Sequence, residues 1–206
     1  MGVIIPGIVL AAGRSTRMGR AKALLPTGFQ GETFIGQIVR TLRQGGLDDI
    51  LVVVSDEIKA IMQAFSGENT PPRFVVNHTP ELGQLSSLQV GLRTVDHPGI
   101  GGILVTLVDV PLVTTATVRA LLEAYYQTHA PIVRPVRSGR HGHPVIFDRR
   151  LFEELRQTKS NGGAKAVVHN HLKESIDVEV DDEGPFLDID TPVDYMRVFK
   201  QAIPND

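Results

Sequence analysis

The sequence has no cysteine among its 206 residues. Disulfides, thiolate metal sites and a cysteine nucleophile are therefore excluded. It has almost no excess of charge, with 21 Lys+Arg against 23 Asp+Glu and a formal net charge of -2. No basic face is implied, so nucleic acid is not an expected partner. No apolar run approaches the ~18 residues of a membrane span, and no basic segment precedes the first apolar run. The expected setting is thus the cytoplasm, with neither secretion nor a membrane partner. What is present is ordinary for a globular protein: 42% hydrophobic and 21% charged residues, in a chain long enough for one domain, 1–206, with a full core.

The richest stretch is Leu10-Ala11-Ala12-Gly13-Arg14-Ser15-Thr16-Arg17-Met18-Gly19-Arg20-Ala21-Lys22. It follows Ile8-Val9-Leu10, which reads as a buried strand. Two glycines bracket a loop holding two arginines, a serine and a threonine, and Lys22 closes it. Glycine lets backbone N–H groups approach an anion closely. Arginine forks grip phosphate oxygens in pairs, and lysine adds a movable point charge. The chemistry is that of a triphosphate cradle. It is not a Walker loop, because five residues separate Gly13 and Gly19 and Arg20 follows. The Gly-x-Gly-x-x-Gly dinucleotide fingerprint is absent too.

Beyond the loop, strands and helices alternate. Helical spacing covers Thr33 to Gln44, with Gly45 as its C′ stop. Ile50 to Val54 reads as a central strand, followed by a helix from a Ser55 cap through Phe65, with Asp56 and Glu57 in its first turn. Phe74–Val76 is a third strand, and Ser86 or Ser87 caps a helix to about Val95. Ile103 to Val108 is a fourth strand, and Thr114 or Thr115 opens a helix to about His129. The pattern predicts a three-layer α/β/α architecture with a mostly parallel, twisted sheet. Ligands in such sheets bind beyond the carboxyl ends of the strands, where Gly13, Asn77 and Asp109 all stand. Later come strand-like Pro131–Arg137 and His143–Phe147 with a hairpin-like link, short helices over 149–157 and 163–169, and a strand at 176–180. A final helix, from Thr191-Pro192-Val193-Asp194 to about Ala202, carries cap, Pro at N1 and acid at N3. The part from about 131 to 190 is expected to form a lid on one side.

Two acidic positions stand out. Asp109 directly follows the apolar run Leu104 to Val108, and Pro111 stiffens its turn. Mg2+ takes carboxylate and phosphate oxygens and keeps waters, so one acid facing a triphosphate loop suits it. Asp188-Ile189-Asp190 would place both acids on one side of a short strand, a costly pairing unless a cation or donors share the site. Hydroxyls and N–H groups around Gly83-Gln84-Leu85-Ser86-Ser87 suit an anion or a base edge at a helix start. His143, at a strand start, has no metal-ligand spacing with the other histidines.

The first loop resembles the nucleotidyltransferase signature Leu-Ala-Ala-Gly-x-Ser-x-Arg-Met-Gly-x-x-Lys, in the form found in MobA-like enzymes of molybdenum-cofactor chemistry. The likeness runs from Leu10 to Tyr195. It implies a Rossmann-like nucleotidyltransferase fold with nucleotide contacts at Leu10, Ala11, Ala12, Gly13, Arg14, Arg17, Lys22, Asn77, Gln84 and Ser87. Arg17, Lys22 and Asp109 would carry catalysis. Asp109, in its Asp-x-Pro turn, and Asp190, in Asp-Ile-Asp-Thr-Pro, would hold Mg2+. Gly142-His143-Pro144 is similar to the cytidylyl branch and puts His143 on the acceptor side. The implied reaction moves CMP from CTP to a phosphorylated acceptor, the molybdopterin form of the molybdenum cofactor, and releases pyrophosphate. The implied partners are an NTP, that acceptor, and a molybdoenzyme or its chaperone. Guanylyl transfer, transfer to a sugar or other small phosphate, and non-catalytic cofactor delivery are the alternatives. One departure bears on the acceptor: many members carry Gly-Asp-x-Gly-Ala-Arg where this chain has Ser160-Asn161-Gly162-Gly163-Ala164-Lys165.

Overall fold

The computed structural model describes residues 3–203 apart from 14, 16, 29–31, 56–57 and 160–161. Strands β1 (Gly7–Leu10), β2 (Ile50–Val54), β3 (Arg73–Val76) and β4 (Gly102–Leu107) pair in parallel in the order β3-β2-β1-β4. Their near-continuous Val, Ile and Leu content reflects burial on both faces. Strand β5 (Ile132–Arg137) turns through Ser138 and Gly139, both at positive φ, into β6 (Arg140–His141). The chain then continues as β7 (Val145–Asp148), which lies between β4 and β5 and is antiparallel to both. The hairpin register slips by two residues across Gly142-His143-Pro144, which takes His143 out of the ladder. Strand β8 (Ile176–Glu179) adds in parallel to β5.

Side-chain alternation divides the core. Val9, Val52 and Leu104 face one cluster with α1 (Phe34–Gly45), α4 (Thr115–Thr128) and α7 (Pro192–Phe199), joined by Ile61 of α2 (Ile58–Gln63). Ile8, Leu51, Val53 and Ile103 face the other with α3 (Gln84–Val95), α5 (Phe152–Gln157) and α6 (Gly163–Asn170). These are the three layers expected from the sequence.

Several expected boundaries move, each for a local reason. Gly45 is the last residue of α1, not its stop. Gly46 takes the left-handed turn at φ 109°, and Leu47 N–H reaches back to Leu42 O, closing a Schellman motif over buried Leu47. α2 ends at Gln63 because Ala64, Phe65 and Ser66 bond three residues back, in tight turns that do not continue an α-helix. Asp56 and Glu57, expected in its first turn, lie outside the described residues. Neither Ser86 nor Ser87 caps α3: both lie in its first turn, and Gly83, at φ 90°, is the residue before the helix. Asp188-Ile189-Asp190 is not a strand; its anchor is Ile189 N–H to Asp109 O at 2.9 Å. α7 keeps the expected Thr191–Asp194 capping box but ends at Phe199, with Lys200 left-handed.

α3 lies close against the sheet because Gly91 has no side chain. A Cβ there would stand 2.8 Å from Ile8 Cγ2 and 3.1 Å from Val53 Cγ2, both on central strands that cannot withdraw. Gly91→Ala is expected to lower stability by about 1–3 kcal/mol through overpacking, and Gly91→Val by more. Urea denaturation checks this; unchanged midpoints for both would show that the helix can lift without cost.

Candidate active site

The parallel ladders run one residue past the strands. Ala11 N–H bonds Val53 O, Val108 N–H bonds Leu10 O, and Asn77 N–H bonds Val54 O. The loops after β1, β3 and β4 therefore leave the sheet from fixed points at its carboxyl end. Above β1 and β4 lies a cavity of about 330 Å³. It is lined by Leu10, Ala12, Gly13, Arg17, Lys22, Gln84, Ser87, Asp109 and Asp190, together with Ser15, Pro80, Gly83, Leu107 and Val108.

Three positions named from the sequence stand elsewhere. Ala11 points into the core below. Arg14 lies outside the described residues. Asn77 is 1% exposed and sits behind the cavity wall. His143 lines a second cavity of about 350 Å³, which shares Leu10, Gly83, Gln84 and Leu107 with the first. Burial pushes the His143 ring below the ordinary histidine range, and Lys165 adds to this while Val105 and Asp188 oppose it. The ring is therefore neutral at pH 7, and its Nδ1 is buried without a partner.

Loop shape is held by Ser15, whose role the sequence pattern does not separate from its neighbours. Its backbone is left-handed at φ 46°, and its carbonyl accepts from Met18 and Gly19 N–H. Its hydroxyl accepts from Lys22 N–H at 3.2 Å, which ties the end of the loop to its beginning. Lys22 then starts a short 3-10 turn, Lys22–Leu24, with its side chain only 11% exposed. A Cβ on Gly13 would meet nothing within 4 Å, so the loop backbone is open to the cavity there.

The charged groups converge on Lys22. Its ammonium lies 2.5 Å from Asp190 Oδ1 and 3.6 Å from Asp109 Oδ2. Arg17, largely exposed, lies 3.5 Å from Asp190 Oδ2. Asp190 is brought here from the far end of the chain. Ile189 N–H docks on Asp109 O, His143 N–H docks on Pro185 O, and Thr191 caps α7, which Tyr195 anchors through its hydroxyl to Pro26 O. Glycines permit the close approach: a Cβ on Gly184 would fall 2.1 Å from Leu112 O, and one on Gly142 2.1 Å from Pro185 O.

Burial raises the Asp109 carboxyl above the ordinary aspartate range; Lys22 opposes this, while Asp188 and Asp190 add to it. Its Oδ1 is buried with no hydrogen-bond partner. No group of three or more His, Asp or Glu able to hold a metal occurs among the described residues. Two carboxylates, one with an unused buried oxygen, fit a hard cation that takes its remaining ligands from phosphate and water. They would not make an all-protein metal cage.

The opposite wall is the start of α3. Asn77 gives its side-chain amide to Ser86 Oγ and Ser87 Oγ, each at 2.9 Å, and takes the Thr79 N–H at 3.0 Å. Ser87 Oγ is thus an acceptor from Asn77, and its own proton remains to donate into the cavity. Gly83 and Gln84 carry the helix N-terminus to the same wall, with the partial positive charge of its first turn.

A mostly parallel sheet, a cationic loop beyond its first strand and two acids facing that loop define a nucleotidyltransferase of the α/β class. The chain belongs to the MobA-like NTP transferase family, whose domain model matches residues 7–175. It is 31% identical to nicotine blue oxidoreductase of Paenarthrobacter nicotinovorans, over 94% of this chain and 96% of that one. It is 30% identical to purine catabolism protein PucB of Bacillus subtilis, over 93% and 94%. A probable molybdenum cofactor guanylyltransferase of Mycobacterium tuberculosis is 24% identical over 92% and 90%. Among solved structures, Rv0371c of Mycobacterium tuberculosis superposes with a TM-score of 0.82 at 32% identity, covering 98% of this chain and all of that one. Rv0371c has also been solved in complex with manganese, at a TM-score of 0.76 and 27% identity over 98% of this chain and 100% of that one.

The Lys22 ammonium now offsets one of the two carboxylate charges that would face a metal. Lys22→Gln is expected to raise affinity for free Mn2+ at least about tenfold, since a unit charge at this range in a partly buried site contributes on the order of 4 kcal/mol. The same change should weaken NTP binding. Calorimetric titration of Mn2+ without nucleotide checks the first effect; unchanged or weaker Mn2+ binding would remove the metal from this pair of acids.

Proposed function

We propose that the chain transfers CMP from CTP to a phosphorylated acceptor, the molybdopterin form of the molybdenum cofactor. The observation that carries the transferase reading is the meeting of Lys22 with Asp109 and Asp190 at the mouth of the parallel sheet. An acceptor phosphate oxygen bonds to the α-phosphorus of the NTP. The bond from that phosphorus to the bridging oxygen breaks, and pyrophosphate leaves with the electron pair. Such a reaction needs positioning and charge neutralisation more than a side-chain nucleophile.

Lys22 and Arg17 would bind the triphosphate, with Arg14 as a further phosphate ligand on the same loop. Gly13 leaves room for phosphate at the backbone, and Leu10 and Ala12 wall the nucleotide. Gln84 and Ser87 would contact the base or ribose, with Asn77 fixing Ser87. Asp109 and Asp190 would hold Mg2+ or Mn2+. The cation, when bound, supplies positive charge to the attacked and leaving phosphates. His143 and the part of the chain from about 131 to 190 would form the acceptor side of one nucleotidyltransferase domain.

Cytidylyl choice is supported by Gly142-His143-Pro144 and by Asp188 to Pro192, and the name of the mycobacterial relative makes GTP the second donor to test. Delivery to a molybdoenzyme or its chaperone would follow the transfer. The reading places the protein in the cytoplasm; no described helix is long and apolar enough to cross a membrane.

The test is pyrophosphate release from each NTP with Mg2+ or Mn2+ and molybdopterin. CTP is expected to react fastest, and chelation should stop the reaction. Saturating CTP with metal should also raise the melting temperature, since ligand at ~100 Kd adds about 2.7 kcal/mol of stability. Release from GTP alone would replace the donor, and metal-stabilised NTP binding without release would favour a delivery protein. Asp109→Asn should cost ~10²–10³ in turnover, the scale of one fixed electrostatic contact, without unfolding the chain. Near-normal turnover in Asp109→Asn together with inactivity of Asp188→Asn would move the metal role to Asp188.

A further inference from the structure

The second cavity contains a charge where the strand pattern calls for a hydrophobe. Along β5, Ile132 faces the cluster of α3, α5 and α6 and Val133 faces the other side, so Arg134 returns to the first face. There it lines the cavity beside Val145 and Phe147 with its side chain only 10% exposed. It lies at the register gap of the hairpin, where neither β6 nor β7 pairs with it.

Arg134 is oriented from behind. Its Nε donates to Asp177 Oδ1 at 2.6 Å, from the position on β8 directly in register with it. His141 Nε2 contacts Asp177 Oδ2 at 2.9 Å. Burial favours protonation of Asp177, but the bonds from Arg134 and His141 outweigh it and hold the carboxyl below the usual aspartate range. Asp177 therefore stays ionised and fixes the guanidinium. Nη1 of Arg134 has no hydrogen bond among the described residues. Burying most of an arginine side chain against a single carboxylate is costly, and an aliphatic residue would fill the position without that cost. The facing walls, Leu88 and Val168, are apolar, and Lys165 at the rim adds a second positive charge.

We propose that Arg134, oriented by Asp177, binds an anionic group of the acceptor distinct from the phosphate that is nucleotidylated, with the acceptor's ring-sized apolar body against the cavity wall. This rests on the reading of the second cavity as the acceptor side. It assigns the substrate class: an acceptor with an acidic group apart from its phosphate. It also makes Arg134 the residue that discriminates against neutral analogues.

The test uses ligands that carry no phosphate and so cannot react. Naphthalene-2-carboxylate and pterin-6-carboxylate are titrated against the full chain beside their neutral carboxamides. Each acid is expected to bind about tenfold more tightly than its amide, the scale of one hydrogen bond between charged groups. Arg134→Leu should abolish that preference and Arg134→Lys should retain part of it, because lysine keeps the charge but loses the fork. Binding of Mn2+ with CTP should be unchanged in both variants. Equal binding of acid and amide by the natural chain overturns the proposal, as does the same preference in Arg134→Leu. If Arg134→Leu loses CTP binding or melts early, the acid-against-amide comparison in the natural chain and in Arg134→Lys decides. Should molybdopterin fail to release pyrophosphate while the Arg134-dependent preference persists, the acceptor identity falls and the anion site stands.

Discussion

One ammonium group holds the mouth of the sheet together. Lys22 joins Asp109, which leaves β4, to Asp190, which enters α7 and lies 168 positions after the lysine in the sequence. Without that cation the two acids would face each other in a partly buried site, and burial already raises Asp109. Each partner is also fixed by contacts other than the ion pairs: Lys22 by Ser15, Asp190 by the Ile189–Asp109 backbone bond and the Thr191 capping box, Asp109 by the end of a fully paired strand. The geometry belongs to three elements rather than to one flexible loop, and this allows two like charges to be kept close before any ligand arrives.

The same constraint accounts for the shape of the last quarter of the chain. Gly184 and Gly142 have no room for a Cβ, because the segment from 184 to 190 is laid directly on the turn after β4 and on the loop before β7. A side chain at either would push Asp190 away from Lys22. The glycines are thus packing requirements of the site, although neither lines the first cavity.

Much of this was legible in the sequence, because hydrophobic runs and their spacing report burial directly. β2 and the start of α4 fall where the pattern puts them, and Gly13, Lys22, Asp109 and Asp190 line one cavity. What was not legible depends on backbone conformation or on distant partners. A Gly-Gly pair offers two stops, and only the packing of Leu47 selects Gly46. Two serines before an apolar run look like caps, but Asn77, from another loop, claims both hydroxyls. Acid-Ile-acid looks like strand alternation, yet its outer positions face Lys22 and solvent without a neighbouring strand. Arg134 lies midway along β5, and its partner Asp177 comes with the pairing of β8 to β5, which local pattern cannot report.

The single antiparallel strand in the middle of the sheet explains how the two cavities come to share a wall. A further parallel strand beside β4 would begin at the amino edge, far from Asp109. β7 runs the other way, so its first residue, Val145, lies opposite Val105 near the carboxyl end of β4. The loop that precedes it, with Gly142 and His143, is thereby delivered to the same edge as Asp109. Because β5 runs parallel to β4 beyond it, Arg134 rises toward that edge as well, with Asp177 alongside on β8. Reversing one strand places the residues of a late hairpin beside those of the first loop, separated by Gly83 and Gln84 at the start of α3. A group passed between two ligands needs both held at one edge with a common boundary, and on the proposed reading this strand order supplies it as two cavities that share a wall.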